Sequence, residues 1–398
     1  MTSDPLLSID DAVALVLSHV APLDAEDVAL DAAAGRVTAE PALAVVDLPP
    51  FHASAMDGFA LRAADTPGTL PIAGRVAAGR PAPRALGPGE AIAIATGGVV
   101  PEGADSVVPI ELVEERDGTV VVPGNVGYAD NVRHRGGDLR AGDVVVQAGV
   151  RLGPAQLGAL AAAGATSVRC GRRPRVAVIV TGTELRTPGE VLEPGQIYDS
   201  NGYILAAQLR STGAEVERLP AVADDEDATR GAIARGLEFD VLVTTGGVSV
   251  GVYDLVRAAE AALGVEEVFW RVAMQPGKPV AFGVRERTLV FGLPGNPVSS
   301  LVGFELFVRP ALLALQGLAE PRPQFRPGRL GAPAKRLAAR DALLRARARV
   351  DGDAVVLDPL TGQQSHMIAH AATADALVLV PQGEGELAAG SPVSYLSL

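Results

Sequence analysis

Val241-Leu242-Val243-Thr244-Thr245-Gly246-Gly247-Val248-Ser249-Val250-Gly251 runs an apolar segment straight into a glycine-rich turn. A short, unbroken apolar run of this kind reads as a strand covered on both faces of a sheet. Val176-Ala177-Val178-Ile179-Val180 is a second one. Around them the pattern alternates: helices near 201–212, 225–237 and 253–263, strands near 215–219, 267–272, 279–283 and 288–292, and a closing helix from 297 to about 315. The alternation predicts a doubly wound, mostly parallel α/β sheet over 174–320. Ligands of such sheets bind at the carboxyl ends of the strands, where the glycine turn falls.

Working outward, the chain changes character on both sides. Ser8 with Asp11 three residues on is a helix-start signal, and Ile9, Val13, Val16, Leu17 and Val20 follow at helical spacing. The stretch Asp47-Leu48-Pro49-Pro50-Phe51 breaks regular structure. From about 54 to 150, short β runs such as Ala91–Ala95 and Val120–Val122 lie between Gly/Pro turns and predict a β-rich arm. Residues 154–164 read as a helix with Pro154 in its first turn and Gly164 at its end. The basic segment 169–175 marks a boundary, and Glu320-Pro321-Arg322-Pro323 marks another. Beyond it, Arg345, Arg347 and Arg349 alternate with Ala346, Ala348 and Val350 in a period-two strand, and runs at 355–357, 377–380 and 393–396 complete a small β-barrel.

Length and composition bound the function. A chain of 398 residues holds two to four domains. With 48% hydrophobic and 20% charged residues it is a folded globular protein, and 45 glycines and 30 prolines make it rich in turns. A net charge of −13 argues against nucleic-acid or membrane-surface partners, which select a basic face. The lone Cys170 rules out an intrachain disulfide and a cysteine-based zinc site, so any metal is expected to be a hard cation on carboxylates. The acidic start MTSDPLLSIDD lacks a basic segment ahead of an apolar core, and no uninterrupted apolar run reaches 18 residues, so a cytoplasmic location is expected.

Of 34 cationic residues only Lys278 and Lys335 are lysines. Lys278 sits in Gln275-Pro276-Gly277-Lys278-Pro279, where two prolines fix the loop and a compact ammonium suits a tetrahedral oxyanion. The segment Gly292–Ser300 repeats the strand–turn–helix design: Asn296 or Pro297 opens a helix whose first turn carries Ser299 and Ser300 near the positive end of its dipole. Read blandly, these are an exposed lysine, a helix cap and tight turns. Neither a P-loop nor a dinucleotide fingerprint is present, and Ser365-His366 has no G-x-S-x-G context for a hydrolase. Glu184 and Asp254 fall at the carboxyl edge of the same sheet, where they can hold Mg²⁺ against a phosphate. Asp224 and Asp225 sit where either a metal site or the cap of the following helix would want a carboxylate. Asp57 and Asp138 lie in the β-rich part and on spacing alone are turn residues.

Six segments in order carry a further signal: Ser54–Ala60 (SAMDGFA), Thr96–Asp105 (TGGVVPEGAD), Arg135–Asp138 (RGGD), Thr244–Gly251 (TTGGVSVG), Pro276–Pro279 (PGKP) and Leu293–Ser299 (LPGNPVS). Together they resemble the molybdopterin molybdenumtransferase (molybdenum insertase) family, found also as the E domain of gephyrin and its plant counterpart, nearly end to end. The resemblance implies a four-domain homodimer with 1–23, 43–51 and 139–173 as a mixed helical linker domain, 24–42 with 52–138 as the β-rich arm, 174–320 as the molybdopterin-binding α/β domain and 321–398 as the barrel.

It also implies an activity: molybdenum from molybdate is inserted into adenylyl-molybdopterin, AMP is released, and a divalent cation (Mg²⁺) assists. Asp57, Thr96, Asp138, Glu184, Asp254 and Lys278 would serve catalysis. Gly246, Gly247, Ser249, Pro294, Asn296, Pro297, Ser299 and Ser365 would bind substrate, and Glu184, Asp224, Asp225 and Asp254 the cation. In a dimer the arm of one subunit can reach the other's sheet, which gives Asp57 and Asp138 a role that spacing denies them. A contact with the molybdopterin adenylyltransferase is implied as well. The sequence departs from many members in carrying Gln275 and Arg271 where they have lysine, and Ala369 where they have a second serine. The alternatives are an adenylyltransferase acting on the pterin, for which the arm motifs are superfluous, and a non-catalytic scaffold of the same fold.

Overall fold

The computed structural model describes residues 6–223, 225–246 and 255–398. The chain divides into a larger unit (residues up to Glu26, Gly35–Ala39 and Cys170–Leu398) and a smaller one (Asp27–Ala34 and Glu40–Arg169). The first helix, α1 (Ile9–Ser18), belongs to the larger unit and starts as its sequence dictates. Ser8 accepts a hydrogen bond from the Asp11 amide at 3.0 Å and donates to the Asp11 carboxylate at 2.7 Å.

The smaller unit is built on a six-stranded mixed sheet. Its strands are β1 (Gly58–Leu61), β2 (Gly68–Val76), β3 (Ala91–Ile94), β4 (Ser106–Pro109), β5 (Glu114–Arg116) and β6 (Thr119–Val122), in the order β4-β1-β3-β2-β6-β5. Only β2 and β3 run parallel. Alternate residues bury on opposite faces: Phe59 and Leu61 in one cluster, Ala60 with Ile92 and Ile94 in the other. Helix α2 (Pro154–Ala162) follows, opened by Pro154.

In the larger unit the α/β alternation appears in order: β7 (Arg175–Val180), α3 (Asn201–Ser211), β8 (Glu215–Arg218), α4 (Glu226–Gly236), β9 (Val241–Thr245), α5 (Leu255–Ala262), β10 (Glu266–Trp270), β11 (Ala281–Arg285) and β12 (Thr288–Leu293). The sheet order is β8-β7-β9-β12-β11-β10; the first four strands are parallel, and β11 runs against both β12 and β10. Val176, Val178, Val241, Val243, Leu289 and Phe291 pack with Leu205 and Leu209 of α3 and with α1 on one face. Ala177, Ile179, Leu242 and Val290 pack with Ile233 of α4 and Val256 of α5 on the other. Both faces are covered, which is why these strands read as unbroken apolar runs.

The closing helix, expected as one piece, spans Pro297–Leu315 as α6 (Pro297–Gly303), a π turn at Phe304–Val308 and α7 (Arg309–Leu315). Pro310 has no amide hydrogen to donate to the preceding turn, and the ladder opens there. At 19 residues and a mean hydropathy of 1.6 this helix is long and apolar enough to cross a membrane, but 72% of it is buried inside the unit, as a core helix is. The last strands are β13 (Arg326–Leu330), β14 (Asp341–Asp351), β15 (Ala354–Pro359), β16 (Ala376–Val380) and β17 (Pro392–Ser397). They pair in the cyclic order β14-β15-β13-β17-β16-β14, a closed five-stranded barrel.

Candidate active site

Three parallel strands of the larger unit end together. The Thr181 amide donates to the Thr245 carbonyl at 3.0 Å, and the Gly246 amide to the Leu293 carbonyl at 3.3 Å. Asn201, the first residue of α3, ties the turns together through its side-chain amide, which donates to Thr245 Oγ1 at 2.9 Å and to the Gly295 carbonyl at 2.8 Å. Gly246 has φ +94°, and a Cβ there would lie 2.5 Å from the Thr181 carbonyl oxygen, so no other residue fits without displacing backbone.

Above these turns lies a cavity of about 650 Å³, lined by Thr181, Glu184, Asp199, Asn201, Gly246 and Pro297 among others. Thr181 Oγ1 and Asn201 Oδ1 are buried with no hydrogen-bond partner, an arrangement that suits a polar ligand or ordered water. Asp199 is buried and already engaged, accepting from the Gly202 amide at 2.8 Å and from Arg218 at 2.9 Å.

A second cavity, about 470 Å³, shares Pro279, Pro294, Asn296 and His366 with the first. Gln275, Lys278, Ser299, Arg340, Gln364 and Ser365 also line it. Ser299 is buried in the first turn of α6, whose N-cap Asn296 makes no side-chain cap bond. The Val298 amide in that turn donates to the Ser365 carbonyl at 3.0 Å. The cavity therefore collects two cations, two hydroxyls and a helix start, the donor set for a tetrahedral oxyanion. Arg271 is absent from it, its guanidinium stacked 3.6 Å from the centroid of the Trp270 ring.

The arm motifs gather in the smaller unit. Ser54 pairs with Val132 in a two-residue ladder, and exchanges backbone bonds with the Gly97 and Gly98 amide and carbonyl at 2.9 Å. The SAMDGFA and TGG segments thus meet, while RGGD lies against the residues just before them, the Arg135 amide reaching His52 and the Asp138 amide Leu48. Asp57 accepts from the Thr96 amide at 2.7 Å and from its hydroxyl at 3.0 Å, and these bonds hold its carboxyl below the ordinary range. Asp138 is exposed, its amide bonded to the Leu48 carbonyl at 2.9 Å. The turn before it is fixed by Asp47, which accepts from the Ala141 amide at 2.9 Å and from Arg135 at 2.5 Å. Gly58 is obligatory in β1, since a Cβ there would lie 1.9 Å from the Val108 carbonyl oxygen.

The structure brings Glu184, Gly246, Pro294, Asn296 and Pro297 to the larger cavity and Lys278, Ser299 and Ser365 to the smaller. Of the two roles open to Asp225, it takes the cap: its carboxylate accepts from the Ala228 amide at 2.8 Å at the start of α4, and it does not line the cavity. Asp224, Gly247, Ser249 and Asp254 lie outside the described residues. Among the described residues no group of three or more His, Cys, Asp or Glu could hold a metal ion, so the described part of the expected cation site is Glu184 alone. Sequence reasoning missed Arg340, His366, Asn201 and Thr181. For Asn201 a signal existed, in the polar Asp199-Ser200-Asn201 run opening a helix at a strand edge.

Comparison with known proteins agrees with this layout. Residues 7–164 match the MoeA N-terminal region (domain I and II), 177–314 a probable molybdopterin binding domain, and 327–398 the MoeA C-terminal region (domain IV). The chain is 38% identical over 388 residues to molybdopterin molybdenumtransferase 2 of Mycobacterium tuberculosis, covering 93% of this chain and 94% of that protein. The chain belongs to the molybdopterin molybdenumtransferase family. The molybdopterin molybdenumtransferase of Haemophilus influenzae is 38% identical over 317 residues, 78% of each chain. A solved molybdopterin biosynthesis moeA protein of Pyrococcus horikoshii superposes on this family member with a TM-score of 0.82 at 32% identity, covering 98% of this chain and 99% of that one. Another solved molybdopterin biosynthesis moeA protein of Pyrococcus horikoshii gives 0.85 at 26% identity, over 99% of this chain and 100% of that one.

Proposed function

We propose that this chain inserts molybdenum from molybdate into adenylyl-molybdopterin and releases AMP. One observation carries the reading: a cavity with the donor set for a tetrahedral oxyanion, around Lys278 and Arg340, shares a wall with a hollow large enough for an anionic ring compound. Molybdate suits the first and the pterin with its phosphates the second. Gly246, Gly247, Ser249, Pro294, Asn296 and Pro297 would line the pterin side, and Ser299 and Ser365 the molybdate side. Lys278 would offset charge as AMP leaves, while the substrate's own dithiolene sulfurs take the metal. No protein nucleophile is required, in keeping with a buried Cys170 whose thiol burial pushes above its ordinary range.

A Mg²⁺ ion would be held by Glu184 with Asp224 and Asp254, and would supply charge neutralisation at the phosphoanhydride. Asp225 we assign to the helix cap instead. Asp57, Thr96 and Asp138 would act across a cytoplasmic homodimer, the arm of one subunit serving the other, with the four-domain division set out above and a contact with the adenylyltransferase that supplies the substrate.

The test is incubation of purified protein with adenylyl-molybdopterin, molybdate and Mg²⁺. Molybdate-dependent AMP release is expected, and its absence overturns the reading. With molybdopterin and ATP alone no adenylyl-molybdopterin should form; its accumulation would favour the adenylyltransferase alternative.

A further inference from the structure

The two cavities of the site meet along Pro279, Pro294, Asn296 and His366. On the function proposed above, the substrate's dithiolene lies at this junction, because its carbons belong to the pterin and its sulfurs end on the metal. Of these four residues only His366 can take up and release a proton. Among the described residues the smaller cavity holds no carboxylate: its charged groups, besides His366, are Lys278 and Arg340. The larger cavity adds Glu184, Tyr198 and Asp199, the last engaged by Arg218 and the Gly202 amide. Next to the loop that carries His366, the Arg345 guanidinium is spent on the Gly362, Gln364 and Met367 carbonyls, and His370 lies against Gly362. Neither lines the two cavities.

Insertion itself calls for a proton path. A dithiol and molybdate give a trioxomolybdenum dithiolene and one water. Both Mo–S bonds form and one Mo–O bond breaks. The two thiol protons leave with the lost oxygen as water, the net charge is unchanged, and molybdenum keeps its oxidation state. Fixed cations beside the anion favour thiolate over thiol, and they also make an oxide harder to protonate. The protons therefore have to be carried from sulfur to oxygen. Imidazole suits that transfer, because one ring nitrogen accepts while the other donates and its charge changes near neutral pH. The His366 side chain is exposed, and its ring makes no hydrogen bond to any described residue, so both nitrogens are open to the substrate.

We propose that His366 is a catalytic residue of metal insertion, taking a proton from the substrate's thiol and passing it to the oxygen that molybdate loses. This rests on the insertion reading above. It predicts a defect in rate and not in molybdate binding, which Lys278, Arg340 and the start of α6 supply.

The experiment is single turnover of the full-length protein with adenylyl-molybdopterin, molybdate and Mg²⁺, read as molybdenum bound to the isolated pterin and as AMP released. His366→Gln keeps a polar side chain that cannot ferry a proton, and should slow insertion by about a hundredfold or more. Half-saturation by molybdate should stay within about threefold. The wild-type rate should follow a pH profile with a limb near neutrality that His366→Gln lacks. Free imidazole should restore His366→Ala by about tenfold or more and leave the wild type unchanged. If His366→Ala does not fold, the rate and pH profile of His366→Gln decide. An undiminished rate, a loss accounted for by molybdate half-saturation, an unaltered pH profile or a folded His366→Ala that imidazole does not rescue overturns the proposal. A wild type that inserts molybdenum beside an equally fast His366→Gln defeats this proposal alone. A wild type that neither inserts molybdenum nor releases AMP defeats the insertion reading, and the proposal falls with it.

Discussion

The Asp57 carboxylate is bound twice by one residue, through the amide and the hydroxyl of Thr96, at 2.7 and 3.0 Å. The amide bond is the larger cause of its lowered pKa and the hydroxyl bond the smaller. Thr96→Val keeps the first and removes the second, so the Asp57 pKa should rise yet stay below the ordinary carboxylate value. Carboxyl-detected NMR titration measures this, and an unmoved Asp57 would refute it. Because the folded-state value is depressed, the stabilisation these bonds give is present above the ordinary value and lost as pH falls through the folded one.

Asp240 offers the same sign in a less exposed setting. Burial pushes its pKa up, but two bonds from Arg172 at 2.9 Å and one from the Arg175 amide at 2.7 Å outweigh that and leave it lowered. Asp240→Asn should cost roughly 1–2 kcal/mol at neutral pH in urea unfolding, allowing for partial exposure of the pair. The deficit should shrink as pH falls through the folded-state pKa. A deficit that persists undiminished in acid would show that charge is not its origin.

The two glycines facing each other across the site should differ. Gly246→Ala forces a side chain into a positive φ against the Thr181 carbonyl and should destabilise by roughly 1–3 kcal/mol. At Gly295 a Cβ would meet nothing nearer than 3.5 Å, and Ala should be tolerated within about 0.5 kcal/mol. Equal costs in chemical denaturation would contradict the geometry.

Lys278 and Arg340 are the cations of the smaller cavity, with the uncharged Gln275 beside them. Lys278→Ala and Arg340→Ala should each raise half-saturation by molybdate about tenfold or more. Gln275→Lys should lower it. A Lys278→Ala enzyme with wild-type molybdate dependence would remove that lysine from the site.

The α/β unit was readable because its signal is local: an apolar strand such as Val176–Val180 announces itself within a few residues, and Gly246 and Asn296 follow strand ends directly. The arm was harder. Asp57 and Asp138 have no local mark of function; Asp57 is held by Thr96 and the Asp138 amide by the Leu48 carbonyl, contacts between distant segments that no periodicity reports. Arg345 shows the opposite failure. Its spacing correctly gave a strand, and placed it with two surface arginines on the same face, but which of the three is covered depends on a loop some 20 residues later.

The hydrogen bond from the Val298 amide to the Ser365 carbonyl has a consequence for any attempt to treat the chain as separable modules. A protein cut at residue 320 would keep the parallel sheet, the glycine turn and Lys278, and would look complete by its fold. It would lack the wall that carries Arg340 and Ser365, and the α6 amide that Ser365 caps would be open to solvent. The barrel thus supplies one wall of the smaller cavity, and on the function proposed above, grafting it from a relative would transplant part of the anion selectivity with it.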